Sequence, residues 1–235
     1  MINSLDYKES SKILKIFTRS YGILSVVARG AKRPKSKMQN LTSVYCLGDF
    51  KLKRAGDMFY LQDGHIEDLN EGLRRDLKDI YFAQVITRYV QRGLFENQVN
   101  ENIFDLYVKT LSFVVACDKK LRLLNMFLIK YIAFQGYLPR VNACLICGSK
   151  ALEDKVFSIE DGGLVCKRHG HPGQGLDKDE VFYLNFILYS VLEKYEDLKV
   201  SVDELEILDL LAAYIFDKLQ IKEAKAIENF IKTAN

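Results

Sequence analysis

Near Arg74 the spacing of apolar residues in this chain changes period, and that change limits what the chain can fold into. Upstream, residues 13–18 (ILKIFT) and 23–28 (ILSVVA) are short runs rich in β-branched residues, separated by a turn at Arg19-Ser20-Tyr21-Gly22. Two further runs, residues 50–53 and 59–62, flank a hairpin signal at Ala55-Gly56-Asp57. Several short strands at this spacing predict a small barrel or sandwich. Downstream, Phe82, Ile86 and Val90, with Tyr81, Val85 and Tyr89 beside them, form a wide apolar stripe at helical spacing. Helices are expected over residues 103–115 and 121–134, the second apolar nearly all round and therefore buried, with Gly136 as its stop signal. After an irregular stretch from Leu138 to Gly175, two more helices are expected over residues 179–195 and 202–219. Ser201 is the natural N-cap of the last, and Glu204 completes a capping box. The expected architecture is therefore α+β. A β module over residues 1–72 precedes an α-helical module over 73–137 and 176–235, which is interrupted by an insert over 138–175.

Charge is distributed as unevenly as hydrophobicity. Between Ser10 and Gly48 lie eight cations (Lys12, Lys15, Arg19, Arg29, Lys32, Arg33, Lys35 and Lys37) and no aspartate or glutamate. Residues 1–60 carry a balance of +8, so the remainder must carry −5 to reach the total of +3. A solvated surface normally interleaves both signs, and a contiguous stretch without acids points to a polyanionic partner, nucleic acid first among them. Pro34 takes the run from Arg29 to Lys37 out of any preceding strand and into a loop. Arg29, Lys32, Arg33, Lys35 and Lys37 are the principal candidate phosphate contacts, and Arg19, Lys53 and Arg54 are secondary candidates at neighbouring strand ends. Phe17, Tyr21, Tyr45, Phe59 and Tyr60 could stack on bases, but strand aromatics more often serve as core and stay outside the candidate site. The start of the chain has no basic leader followed by an apolar run, and no window is long and apolar enough to span a bilayer. A cytoplasmic protein with no membrane partner is expected.

Five cysteines are an odd number for a disulfide framework and fit reduced thiols or metal ligands. Cys144-Leu145-Ile146-Cys147 is followed, after eighteen intervening residues, by Cys166-Lys167-Arg168-His169. Two knuckles of x2 spacing are what tetrahedral zinc requires, because each chelates from one tight turn and the connecting loop lets the turns face each other. One structural zinc per chain is expected on Cys144, Cys147, Cys166 and His169, and it would supply folding energy to a segment poor in core. His171 competes for the fourth position, and His169 is favoured because it repeats the x2 spacing. A zinc-deaminase reading would use His65-Ile66-Glu67, but Ala143 rather than proline precedes Cys144, and a closed coordination sphere leaves no place for water. A redox pair would sit at a helix start after a strand, whereas Cys144 follows a helix end. No phosphate-binding loop or nucleophile elbow is present, so no catalytic function is expected. Cys46 and Cys117 lack spaced partners and are expected to be buried small hydrophobes.

Several segments together resemble the bacterial RecO family of recombination mediators. They are Asp6-Tyr7-Lys8-Glu9-Ser10-Ser11-Lys12, Tyr21-Gly22-Ile23-Leu24, the run from Val27 to Lys37 (VARGAKRPKSK), Cys144-Leu145-Ile146-Cys147-Gly148 and Gly162-Gly163-Leu164-Val165-Cys166. The resemblance covers the whole chain and implies an N-terminal OB-fold β-barrel, an α-helical domain and an embedded zinc-binding module. It further implies binding of single- and double-stranded DNA and annealing of complementary strands. With RecR, such a protein would promote loading of RecA onto strands coated by single-stranded-DNA-binding protein (SSB), in the RecF pathway at the nucleoid. Two departures from the family stand out. His169 replaces the family's fourth cysteine. Met1 lies only five residues before Asp6, which leaves either a misplaced start or an open barrel edge where the family has its first strand. Two rival readings are an RNA-binding zinc ribbon and a structural adaptor that uses its helical face for a protein partner.

Overall fold

The structure is a computed structural model that describes residues 1–221; the last part of the expected helical module, residues 222–235, lies outside the described residues. Two compact units are present: Met1–Ile80 with Val90–Asp105, and Tyr81–Tyr89 with the chain from Leu106 onward.

In the first unit, strands β1 (Asn3–Tyr7), β2 (Ser11–Thr18), β3 (Gly22–Ala28), β4 (Leu47–Ala55) and β5 (Met58–Asp68) form one sheet in the order β1-β2-β3-β5-β4. All neighbours are antiparallel except β3 and β5, which run parallel with Val26 opposite Phe59 and Val27 opposite Tyr60. This is the strand order of a five-stranded, partly open OB-type barrel. Alternation explains the strands: Leu14 and Ile16 of β2, Leu24, Val26 and Ala28 of β3, and Leu61 of β5 all enter one core, which Met1, Leu41 and Cys46 complete. The short helix α1 (Met38–Leu41) supplies that Leu41. β4 and β5 extend well beyond the runs expected for them. Lys51, Lys53, Gln62, Asp63 and His65 are not buried, so only alternate positions carry an apolar signal. Between them Gly56 turns at φ +60°, a conformation that costs glycine least.

A first strand is present, since β1 pairs with β2 from Asn3↔Lys15 to Tyr7↔Ser11, and the expected open edge lies beside it. No ladder joins β1 to β4 among the described residues. The seam is instead bridged at one end, where the Met1 amino group donates to Cys46 O and Tyr45 N–H donates to Met1 O, both at 2.8 Å.

The second unit is built on α4 (Lys120–Phe134), in which Leu124, Phe127, Leu128, Ile129, Tyr131 and Ile132 are fully buried, as an apolar circumference predicts. Burying an aliphatic or phenyl side chain of this kind contributes about 1.5–3 kcal/mol. α4 packs against α5 (Lys178–Tyr189) and α6 (Glu204–Leu219). Arg122 of α4 pairs with Glu204 at 2.8 Å and donates to the carbonyls of Tyr195 and Leu198. α2 (Leu77–Gly93) and α3 (Glu101–Val114) each contribute residues to both units. No described helix is long and apolar enough to cross a membrane.

Three local expectations are corrected here. α5 ends at Tyr189 rather than 195, because Ser190 is extended (ψ 152°) and a separate 3-10 turn spans Leu192–Lys194. The N-cap of α6 is Asp203, whose carboxylate accepts from the N–H groups of Leu205 and Glu206, so Ser201 is not the cap. The capping box lies at α5 instead, between Asp177 and Glu180. The stretch read as irregular also holds a three-stranded antiparallel sheet of β6 (Lys155–Ser158), β7 (Gly163–Cys166) and β8 (Gln174–Leu176), in the order β7-β6-β8. Gly162 turns the β6–β7 hairpin at φ +70°, packed so closely on Tyr214 that a Cβ would meet its hydroxyl at 2.6 Å.

Candidate metal centre and nucleic-acid interface

Two tight turns bring four ligand atoms together. In the first, Gly148 N–H donates to Cys144 O and Cys144 N–H to Ser149 O, both at 2.9 Å, and Gly148 adopts φ +70°. In the second, Cys166 ends β7, Lys167–His169 form one 3-10 turn, and Gly170 closes it at φ +62°. Because Leu145 N–H donates to Leu164 O, the first turn is tied to the strand that leads into the second. The ligand atoms of Cys144, Cys147, Cys166 and His169 all lie within 4.8 Å of one another. Cys147 Sγ and Cys166 Sγ are 3.9 Å apart, and tetrahedral zinc with Zn–S bonds of about 2.3 Å sets sulfurs about 3.8 Å apart.

The surroundings favour thiolates. Cys147 is pulled down to about 5 by the neighbouring His169 imidazole, the Ser149 N–H and the Arg168 guanidinium, whose Nη2 lies 3.2 Å from the sulfur. Burial pushes the Cys144 thiol up, but N–H groups of Cys147, Cys166 and Ile146 outweigh it and leave the thiol below its ordinary value. Lys155, almost fully buried on β6, places Nζ 3.0 Å from Cys166 Sγ. His169 Nε2 is buried without a hydrogen-bond partner, as a nitrogen awaiting a metal would be. His171 is occupied elsewhere, with Nε2 2.8 Å from Asp161 and Nδ1 against Pro172 O. The group can therefore hold a metal ion, and its three sulfurs and one imidazole match zinc's preference. His65 and Glu67 belong to β5 of the other unit.

In the N-terminal unit the basic run leaves β3 and turns back on itself, with Arg33 N–H donating to Gly30 O and Ser36 N–H to Arg33 O. Lys32 is anchored at both ends: its N–H donates to Ser10 O, and its ammonium lies 2.8 Å from Asp6, holding that carboxyl below its ordinary value. Arg33, Lys35 and Lys37 are exposed, with no ion pair among the described residues. Arg29 lies over the Tyr60 ring at 4.4 Å. Arg54, at the far end of β4, lies 6.0 Å over Phe59 and donates to Gly56 O. Arg19 is set apart: it pairs with Asp105, approaches Glu101 at 4.0 Å and packs over Phe104, so carboxylates already offset its charge.

Sheet register brings Arg29 and Lys53 together. Val27 is opposite Tyr60 across the parallel β3–β5 pair, and Tyr60 is opposite Lys53 across β5–β4. Arg29 follows Val27 by two positions and so continues the same face. The result is a pocket of about 310 Å³ lined by Arg29, Lys53, Ala55, Tyr60, Leu61 and Gln62, with no carboxylate in its wall. Of the lining residues outside the candidate cations, the polar ones are Tyr60, which the sequence offered only as a possible stacking ring, and Gln62. Their signal was alternation on β5, where they face away from the core that Phe59 and Leu61 enter.

Comparison with known proteins adds to this geometry. A family model described as Recombination protein O N terminal matches residues 1–69, and one described as Recombination protein O C terminal matches residues 74–225. Three curated relatives bear the name DNA repair protein RecO. The one from Acetivibrio thermocellus is 26% identical over 238 residues, covering 99% of this chain and 94% of its own. The one from Clostridium perfringens is 27% identical over 240 residues, covering 99% and 96%. The one from Caldanaerobacter subterraneus is 30% identical over 196 residues, covering 83% and 79%.

Proposed function

We infer a function from a firm premise: the chain belongs to the recombination protein O (RecO) family, whose members are DNA repair proteins. Its role is in DNA repair. The proposed mechanism is non-catalytic: the protein binds single- and double-stranded DNA, anneals complementary strands and, with RecR, promotes RecA loading onto SSB-coated DNA. The observation that carries this reading is the loop of Arg29, Lys32, Arg33, Lys35 and Lys37, of which only Lys32 meets a carboxylate among the described residues, beside an OB-type sheet that also presents Lys53 and Arg54. Such a rim holds the phosphate backbone by charge without reading sequence. Neutralising two strands at once lowers their mutual repulsion, which favours annealing without any need for ATP. The Cys3His group is proposed to hold one structural zinc per chain, with all four positions taken by protein ligands.

The test is a fluorescence-anisotropy titration over a range of salt. If about five phosphates are neutralised, log affinity falls against log salt with a slope of about −3.5 for single strands and about −4.5 for duplex. Replacing all five loop cations by alanine abolishes that salt-sensitive binding and leaves the fold intact. Unchanged affinity in the variant would sink the assignment. A strand-annealing assay with and without RecR tests the wider role.

A further inference from the structure

We propose that the pocket between Arg29, Lys53, Tyr60 and Gln62 is a subsite for one unpaired nucleotide, and that it makes the basic surface prefer single strands over duplex. The proposal rests on the DNA-binding reading above and adds to it where a base would go.

Five features of the pocket fit one nucleotide. Its volume of about 310 Å³ is at the lower end of small-molecule sites, the size of one base with its phosphate. One wall is Arg29 with Tyr60, the guanidinium carbon 4.4 Å from the ring centroid, and both an aromatic ring and a guanidinium plane accept a base face to face. Lys53 stands directly opposite Tyr60 on the neighbouring strand, has no ion pair among the described residues, and so places an uncompensated ammonium one strand away from the stacking wall. Gln62, two residues along β5 on the same face, offers an amide donor and acceptor to a base edge. No carboxylate lines the pocket, so nothing in it repels phosphate.

Selectivity follows from geometry. A base inside a duplex has both faces covered by its neighbours, and only an unpaired base can present a face to the Arg29–Tyr60 wall. The loop cations, by contrast, read charge that both forms of DNA carry. The loop thus supplies general affinity, and the pocket adds a contribution that duplex cannot collect.

The chain contains no tryptophan, so Tyr60→Trp installs a single reporter in the wall. Titration of this variant with an oligo-dT strand should quench its fluorescence, and a blunt-ended duplex of equal length should not. In parallel, Tyr60→Leu should lower single-strand affinity by about 5- to 150-fold, the worth of one stacked base. The ratio of single-strand to duplex affinity should fall with it, and Tyr60→Phe should restore that ratio. Indole fluorescence that is silent or responds equally to both DNAs, in a Tyr60→Trp protein that still binds DNA, overturns the subsite while leaving the DNA-binding reading standing. Wild-type protein that binds neither DNA overturns both. A Tyr60→Leu variant that melts early is judged by the Tyr60→Trp and Tyr60→Phe proteins, which keep an aromatic ring at the position.

Discussion

Lys155 is a buried ammonium between two acceptors, Cys166 Sγ at 3.0 Å and Ser149 O at 3.3 Å. Three thiolates around a divalent ion leave one negative charge, and a buried cation on the sulfur offsets it where water cannot. Arg168 does the same for Cys147 from the solvent side. Lys155→Met keeps the volume and removes the charge, so zinc affinity is expected to fall roughly 10- to 100-fold, read by competition with a chromogenic chelator. An unchanged affinity would show that the lysine only fills space. The cysteines and His169 were legible from spacing alone, because x2 knuckles are a local property. Lys155 was not, since it stands eleven residues before Cys166 and reaches it only through the β6–β7 pairing of Lys155 with Cys166. That Asp161 engages His171, and so leaves His169 as the fourth member of the group, is likewise a contact that spacing does not show.

Among the elements, the helix ends separate two kinds of capping signal. Asp203 accepts from two backbone N–H groups at the start of α6, and its carboxylate also favours the positive end of the helix dipole. Asp203→Ala should cost about 1 kcal/mol in urea denaturation, whereas Ser201→Ala should cost almost nothing. The Ser-x-x-Glu pattern marked a real helix start but placed it two residues too early, a shift local patterning cannot resolve. α4 carries a different liability. Lys130 is half-buried, donates to Leu188 O at 2.6 Å, and is pulled by burial down to about 8. Between about pH 8 and 10.5 the unfolded chain holds a proton that the folded chain has released, so stability rises with pH across this window and the penalty is complete below it. Unfolding free energies at about pH 7.5 and 9.5 should therefore differ more in the wild type than in Lys130→Met. Equal differences would mean that Lys130 keeps its ordinary protonation in the folded protein.

At the scale of the whole molecule, the basic loop and the Cys3His group lie in different compact units, each with its own core. Removing metal with a chelator should therefore destabilise the unit around β6–β8, seen as faster amide exchange there, while DNA affinity changes less than about threefold. A parallel collapse of DNA binding would show that the loop depends on the metal. The α+β division, the long buried helix, the paired cysteine turns and the acid-free stretch could all be read from the chain before it folds, because each is written in the spacing of near neighbours. Which cations lie together could not. β3 pairs in parallel with β5, which sets Arg29 over Tyr60 and Lys53 across from it, while Arg19 is drawn to Asp105. Those partners are distant in the chain, and their meeting is fixed by strand register, which depends on the whole core and not on any local run.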